Sequence, residues 1–139
     1  MKAAIIYWSS TGNTEAMANA IAEGAGSVAE VKQVSEISAD EAANYDVLAL
    51  GCPAQGSEEL DETEFEPFFS ELLPKLSGKK VALFGSYGWG DGEWMRSWEG
   101  RVKEAGAELV NGQGLTANNT PDDDAIAACK TLGEQIAAL

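Results

Sequence analysis

The sequence predicts an α/β fold, a doubly wound parallel sheet flanked by helices. Three observations predict it. Strand-like and helix-like runs alternate along the 139 residues. The central runs Val47-Leu48-Ala49-Leu50 and Val81-Ala82-Leu83-Phe84 do not alternate apolar with polar, as expected of parallel strands buried on both faces. The irregular, polar or Gly-rich stretches (residues 9–14, 52–64, 86–92 and 111–120) follow the strands, where open sheets of this kind hold ligands.

The elements follow in order. Residues 2–8 form the first strand, on the apolar body Ala3 to Tyr7. A helix follows over 14–24, with Met17, Ala18, Ala20 and Ile21 at helical spacing. A short second strand covers 30–34, a weak helix 40–44 and the third strand 46–51. After an acidic loop, a helix spans 66–73. Pro67 is tolerated in its first turn and Pro74 ends it. The fourth strand is 80–85, and the helix 93–105 stops at Gly106. The fifth strand starts near Glu108-Leu109-Val110. The last helix is expected to begin at Thr120, where Thr120-Pro121-Asp122-Asp123 reads as a capping box with Pro at the first helical position. Ile126, Cys129, Leu132, Gly133 and Ile136 then share one face. No repeat, linker or boundary interrupts this pattern, so residues 1–139 are expected to form one domain.

Composition narrows the function. The chain is 45% apolar, enough for a core, and carries a net charge of −14. That charge argues against nucleic acid and anionic membranes. It fits a basic protein partner, or plain solubility. No run approaches the ~20 apolar residues of a membrane span. The amino terminus enters a strand pattern directly, without a signal peptide, so a cytoplasmic location is expected. With no His, imidazole catalysis and the commonest zinc sites are excluded, and Cys52 and Cys129 have no metal-type spacing. Cys129 reads as a buried thiol on a helix face, and Cys52 as packing beneath the strand ends.

Three loops carry chemistry. Ser9-Ser10-Thr11-Gly12-Asn13-Thr14 holds four hydroxyls, one amide and one Gly, with no Lys or Arg. It opens a helix, whose first N–H groups lack partners and carry partial positive charge. The combination suits a dianionic phosphate held by dipoles and hydrogen bonds rather than by a cation. An N-capped turn is the simpler alternative, but one such residue would suffice for it. In residues 85–92 four of eight are Gly, and Tyr87 and Trp89 lie among them. Aromatics on such a loop suit a flat conjugated ring, the alternative being that both fold into the core. Trp94 and Trp98, at i and i+4, read as packing residues. In residues 52–66 Gln55-Gly56 signals a turn. Carboxylates follow at Glu58, Glu59, Asp61, Glu62, Glu64 and Glu66, either as a solvated face or as a functional ring of charge.

Together these motifs resemble the flavodoxin family, small FMN-carrying electron-transfer proteins, in its short-chain, clostridial form. The resemblance rests on Tyr7 to Glu15, Leu50 to Leu60, Glu66-Pro67-Phe68-Phe69 and Leu83 to Met95, and it spans the chain. It implies a five-stranded parallel sheet in the order 2-1-3-4-5, with no catalytic residue and no metal. Ser9, Ser10, Thr11, Gly12, Asn13 and Thr14 would hold the FMN phosphate. Trp89 would stack on the isoalloxazine ring, and Glu58 would receive the flavin N3–H. Gly56 would sit at the N5 edge, its peptide turning over so that its carbonyl accepts the N5–H of the semiquinone. Pro53, Ala54, Gln55, Ser86, Tyr87, Gly88 and Gly92 complete the implied cofactor-binding set. Asn118 and Asn119 would lie near the ribityl chain or the ring. Two positions depart from the family pattern. Ser10 stands where Gly is frequent. Gln55 stands where close relatives carry Met, so it loses the soft sulfur–ring contact.

The resemblance implies a low-potential one-electron carrier working between semiquinone and hydroquinone. A second electron would make the flavin anionic beside many carboxylates. One charge ~10 Å away costs roughly 1.7 kcal/mol at an effective dielectric of ~20. That is about 70 mV for a one-electron couple. The acidic rim would dock basic redox partners, both reductases and low-potential acceptor enzymes, and a monomer is expected. A flavin-dependent reductase and a non-redox phosphate-binding module are the alternatives. A phospho-receiver lacks its Asp after Leu50, and a thiol phosphatase would need Arg where Glu58 stands. A triphosphatase lacks its loop Lys, and a dinucleotide site lacks G-x-G-x-x-G.

Overall fold

Unbroken apolar runs dictate strands that can be covered on both faces, and the chain places helices on each side of them. A computed structural model describes residues 2–55, 59–88 and 90–139. Its elements are β1 (Ala3–Tyr7), α1 (Asn13–Ala25), β2 (Ala29–Gln33), α2 (Ala39–Ala42), β3 (Val47–Gly51) and α3 (Phe65–Leu72), followed by β4 (Lys80–Tyr87), α4 (Glu93–Glu104), β5 (Glu108–Leu109), β6 (Leu115–Asn118) and α5 (Asp123–Ala137). The strands run in the order β2-β1-β3-β4-β5 with parallel pairing, as the sequence predicts. All five residues of β1 and of β3 are buried.

Each sheet face has its own core. On one, Ile6, Leu48 and Leu50 meet Phe65, Phe69 and Leu72 of α3 and Trp94 and Trp98 of α4. On the other, Ile5, Ala49 and Phe84 meet Met17 and Ile21 of α1 and Cys129, Leu132 and Ile136 of α5. Trp94, Trp98 and Cys129 are therefore packing residues, as their spacing predicts. Burial pushes the Cys129 thiol up to about 11.

Three sequence expectations need correction. Residues 111–120 are not a plain loop, because they contain β6, which pairs with β4 from Phe84↔Leu115 to Tyr87↔Asn118. The last strand is thus broken in two. The break is a 3-10 turn, Val110–Gly112, in which Asn111 and Gly112 take left-handed backbone at φ 64° and 73°. β6 supplies partners beyond residue 85, so β4 reaches Tyr87, and Ser86 and Tyr87 are strand residues. Finally, α5 does not begin at Thr120. Its cap is Asp122, in extended backbone, whose carboxylate accepts the Ala125 N–H at 2.8 Å. An ionised carboxylate is the stronger acceptor for a helix start, and Asn119 at φ 56° turns the chain just before it.

Helices α1 and α5 approach backbone to backbone. A Cβ on Gly24 would run into the Lys130 carbonyl oxygen, and one on Gly133 into the Ile21 carbonyl oxygen. Gly133→Ala is expected to destabilise the protein by about 1–2 kcal/mol, because overpacking outweighs the gain of up to ~1 kcal/mol in helix propensity. Gly100→Ala on α4, where a Cβ meets open space, is expected to stabilise it by up to ~1 kcal/mol. Paired urea unfolding curves check both.

Candidate functional site

A parallel sheet puts every strand's carboxyl end on one edge, so the segments after β1, β3, β4 and β6 meet there. Backbone ladders continue past the sheet and tie them together. The Cys52 N–H donates to the Phe84 carbonyl at 3.1 Å and the Ala54 N–H to the Ser86 carbonyl at 3.0 Å. The Asn119 N–H donates to the Tyr87 carbonyl at 2.7 Å, and the Asn118 amide reaches the same oxygen at 3.4 Å.

The segment after β1 is a cradle of donors. Gly12, at φ 91°, is the residue at the start of α1, so no side chain there caps the helix. The Ser9 hydroxyl accepts the Gly12 N–H at 3.1 Å and, more weakly, the Glu15 N–H at 3.4 Å. Among the described residues, the N–H groups of Ser10, Thr11, Asn13 and Thr14 meet no acceptor. Ser10 and Thr11 are exposed, Asn13 is half-buried and Thr14 is buried. Inside the fold, the Thr14 and Ser86 hydroxyls hydrogen-bond at 3.3 Å. This arrangement favours an anion-binding turn over a self-capped one, and its neutral donors fit a phosphate monoester.

The segment after β3 is clasped. Gln55 and Glu59 exchange two backbone hydrogen bonds of 2.8 Å, spanning 56–58. The Gln55 side-chain amide turns back onto the Ala54 carbonyl at 3.2 Å. Gly56 and Glu58, which the resemblance places at the ring, and Trp89, its implied stacking partner, lie outside the described residues. Tyr87 is half-buried, its ring 5.4 Å from that of Trp94. Of the two readings for this aromatic, folding toward the core describes its ring, while its carbonyl serves the edge. Gly88 is exposed beside Asn119, whose Oδ1 a Cβ at 88 would meet at 3.3 Å. Gly92, at φ 90°, starts α4. Pro53 is buried and Ala54 half-buried.

The acidic run divides between structure and surface. Asp61 is only 6% exposed and belongs neither to a solvated face nor to a rim of charge. Its carboxylate accepts the N–H groups of Glu64 and Phe65 at 2.8 and 3.0 Å and the Thr63 hydroxyl at 3.0 Å, capping α3. Burial pushes this carboxyl up, but these hydrogen bonds outweigh it and hold it below the usual range. Glu66 forms a two-pronged pair with Arg101 at 2.7 and 2.8 Å. Glu59, Glu62 and Glu64 stay exposed. Cys52 is fully buried beneath the edge, as expected, and burial pushes its thiol up to about 12. Tyr7 is likewise raised to about 12, by burial and by its hydrogen bond to Glu15.

Sequence reasoning missed several contributors. Asp61 precedes its helix by four residues, a cap signal hidden among five other carboxylates. Arg96 clasps the turn before α4 through the Asp91 carbonyl, the Asp91 carboxylate and Glu93, each at 2.9 Å. Trp8 donates to Glu64 at 3.2 Å. A hollow of about 260 Å³ beside the strand break, between Ala82, Asn111, Leu115 and Thr131, contains none of the expected site residues.

An open parallel sheet with a cation-free cradle of unpartnered N–H donors, joined by buried hydroxyls to a glycine-rich strand end, suits a protein that carries a mononucleotide. The flavodoxin family model matches residues 5–132. The flavodoxins of Megasphaera elsdenii and Clostridium beijerinckii are each 51% identical over 136 residues, covering 96% of this chain and 96% and 97% of theirs. The solution structure of two-electron reduced Megasphaera elsdenii flavodoxin superposes with a TM-score of 0.86 at 49% identity, covering 99% of both chains. A flavodoxin from the domain Archaea superposes with a TM-score of 0.88 at 31% identity over 99% of this chain. The chain belongs to the flavodoxin family. It is an FMN-binding electron carrier that serves redox partners, not an enzyme. Among the described residues no helix is long and apolar enough to cross a membrane.

Because the carboxyl of Asp61 is depressed in the folded state, its contribution is full above its unfolded value and fades as pH falls through the folded one. Asp61→Asn is expected to cost about 1–3 kcal/mol near neutral pH. The gap to wild type should narrow on acidification, as read by urea unfolding across pH.

Proposed function

We propose that FMN sits on the edge formed by 9–14, 53–58, 86–92 and 118–119, with its phosphate in the α1 cradle. The observation that carries this is the set of N–H donors at Ser10, Thr11, Asn13 and Thr14 without acceptors among the described residues. Ser9 holds the turn, and the buried Thr14–Ser86 pair fixes it against β4. Gly12 lets the backbone close around the phosphate without a Cβ. Pro53, Ala54, Gln55 and Gly56 run along one side of the ring, with Glu58 at its N3 edge. Tyr87, Gly88, Trp89 and Gly92 bound the other side, and Trp89 stacks on it. Asn118 and Asn119 flank the ribityl chain.

FMN supplies one-electron chemistry when bound. The chain's own part is to hold, orient and bias it. The exposed Glu59, Glu62 and Glu64 keep negative charge beside the ring, which supports a low second potential. At the opposite edge, at the entries to β1 and β4, Lys2 and Lys80 are paired with Glu30 and Glu108. With a net charge of −14, the exposed carboxylates beside the site favour approach of basic partners. We read the protein as one cytoplasmic, monomeric domain.

Two experiments test this. Titration of the flavin-free chain should give FMN an affinity at least ~100-fold above riboflavin, about 2.8 kcal/mol at ~1.4 per tenfold. Thr14→Ala should narrow that gap, and equal affinities would remove the phosphate assignment. Stepwise anaerobic reduction, followed by visible absorbance, should show a second potential that rises in Glu59→Gln/Glu62→Gln/Glu64→Gln. The bound is ~70 mV per charge at ~10 Å before screening. Asp61 is left out of that set because it holds α3.

A further inference from the structure

We propose that Trp94 is the positioning residue for the flavin-contacting segment after β3, and that Gly85 provides the gap through which it acts. This rests on the FMN assignment above. The Trp94 side chain is 2% exposed, and its indole N–H donates to the Cys52 carbonyl at 3.0 Å inside the core. Cys52 is where the chain leaves the sheet, and it carries both limbs of the segment. The outgoing limb continues through Pro53 to Gln55. The returning limb is tied back by the Asp61 N–H, which donates to the Cys52 sulfur at 3.4 Å. The Gln55–Glu59 pair closes the two limbs on each other. A shift of the Cys52 carbonyl therefore acts on both limbs of the clasp, of which the outgoing one is also held by the Ala54 N–H on the Ser86 carbonyl.

Gly85 makes the contact possible. A Cβ there would collide with the Cys52 carbonyl oxygen and come within 3.2 Å of the Trp94 ring. The same indole lies 5.4 Å from the Tyr87 ring. One buried side chain thus touches the segment after β3 and the end of β4. Trp98, one turn later, supplies the internal comparison. It is 1% exposed, and its edge contacts are with Phe65 and Phe69 at 5.4 and 5.9 Å. Its N–H meets no acceptor among the described residues. Both indoles fill the core; the hydrogen bond from Trp94 gives that residue a second role.

The test compares Trp94→Phe with Trp98→Phe in the full chain. Both should lower the melting temperature. In the flavin-free protein, Trp94→Phe is expected to speed amide exchange at Gln55 and Glu59 at least ~10-fold, each tenfold being ~1.4 kcal/mol of opening. In the loaded protein it should change the ratio of FMN affinities before and after the first electron about tenfold, a shift of ~59 mV in that couple. Trp98→Phe should leave both readouts within about twofold of wild type. Gly85→Ala should move them as Trp94→Phe does. If Trp94→Phe fails to fold, benzothienylalanine at 94, which keeps the shape and removes the N–H, takes its place. Wild-type exchange and potentials in the variant at 94, or equal shifts from Trp98→Phe, would overturn the assignment. A wild-type chain that binds no FMN would overturn the FMN reading alone, since the exchange comparison needs no flavin.

Discussion

Strand β4 is the member on which the rest of the structure depends. It pairs with β3 on one side and with β5 and β6 on the other. Beyond the sheet its carbonyls at Phe84, Ser86 and Tyr87 receive Cys52, Ala54 and Asn119. Each segment that reaches the proposed flavin edge is thus anchored to it, directly by backbone or, for the cradle at 9–14, through Ser86. This demands room. A Cβ on Gly51 would strike the Phe84 ring, and one on Gly85 the Cys52 carbonyl. The two glycines are there for close approach, since neither has positive φ.

The electrostatics follow from the same geometry. A cradle of neutral donors would hold the proposed phosphate with the partial positive charge of a helix start rather than with a cation. In the proposed FMN site the carboxylates of the acidic loop then act on the ring with no Lys or Arg in the phosphate segment to offset them. Those carboxylates are not equivalent. Glu66 is offset by Arg101, so a charge count of the loop overstates the field at the edge, whereas Asp61 keeps its charge within the fold while it caps α3.

Much of this was legible in the sequence. The buried runs at 47–50 and 81–84, the donor-rich 9–14 and the tryptophan pair at i and i+4 each impose a local structure that little else could satisfy. What escaped was decided by distant partners. The end of β4 depends on β6, thirty residues later, and β6 is a four-residue strand after a left-handed turn, too short for a periodic signal. The start of α5, expected at Thr120, lies instead at Asp122, whose carboxylate caps the helix from extended backbone. The capping role of Asp61 and the hydrogen bonds received by Cys52 arise from contacts within the fold that spacing does not reveal.

The two borders of the sheet have a consequence for how these molecules behave in a crowd. An exposed strand edge is a template onto which another chain can add itself. At one border β2 carries Glu30, Lys32 and Gln33 among five residues. At the other, β5 has two residues before the chain curls into its 3-10 turn, and β6 then resumes the edge for only four. Neither offers a long, flat, apolar row of free backbone groups. The break in the last strand, a departure from regular pairing within the molecule, thereby makes runaway stacking between molecules harder to begin.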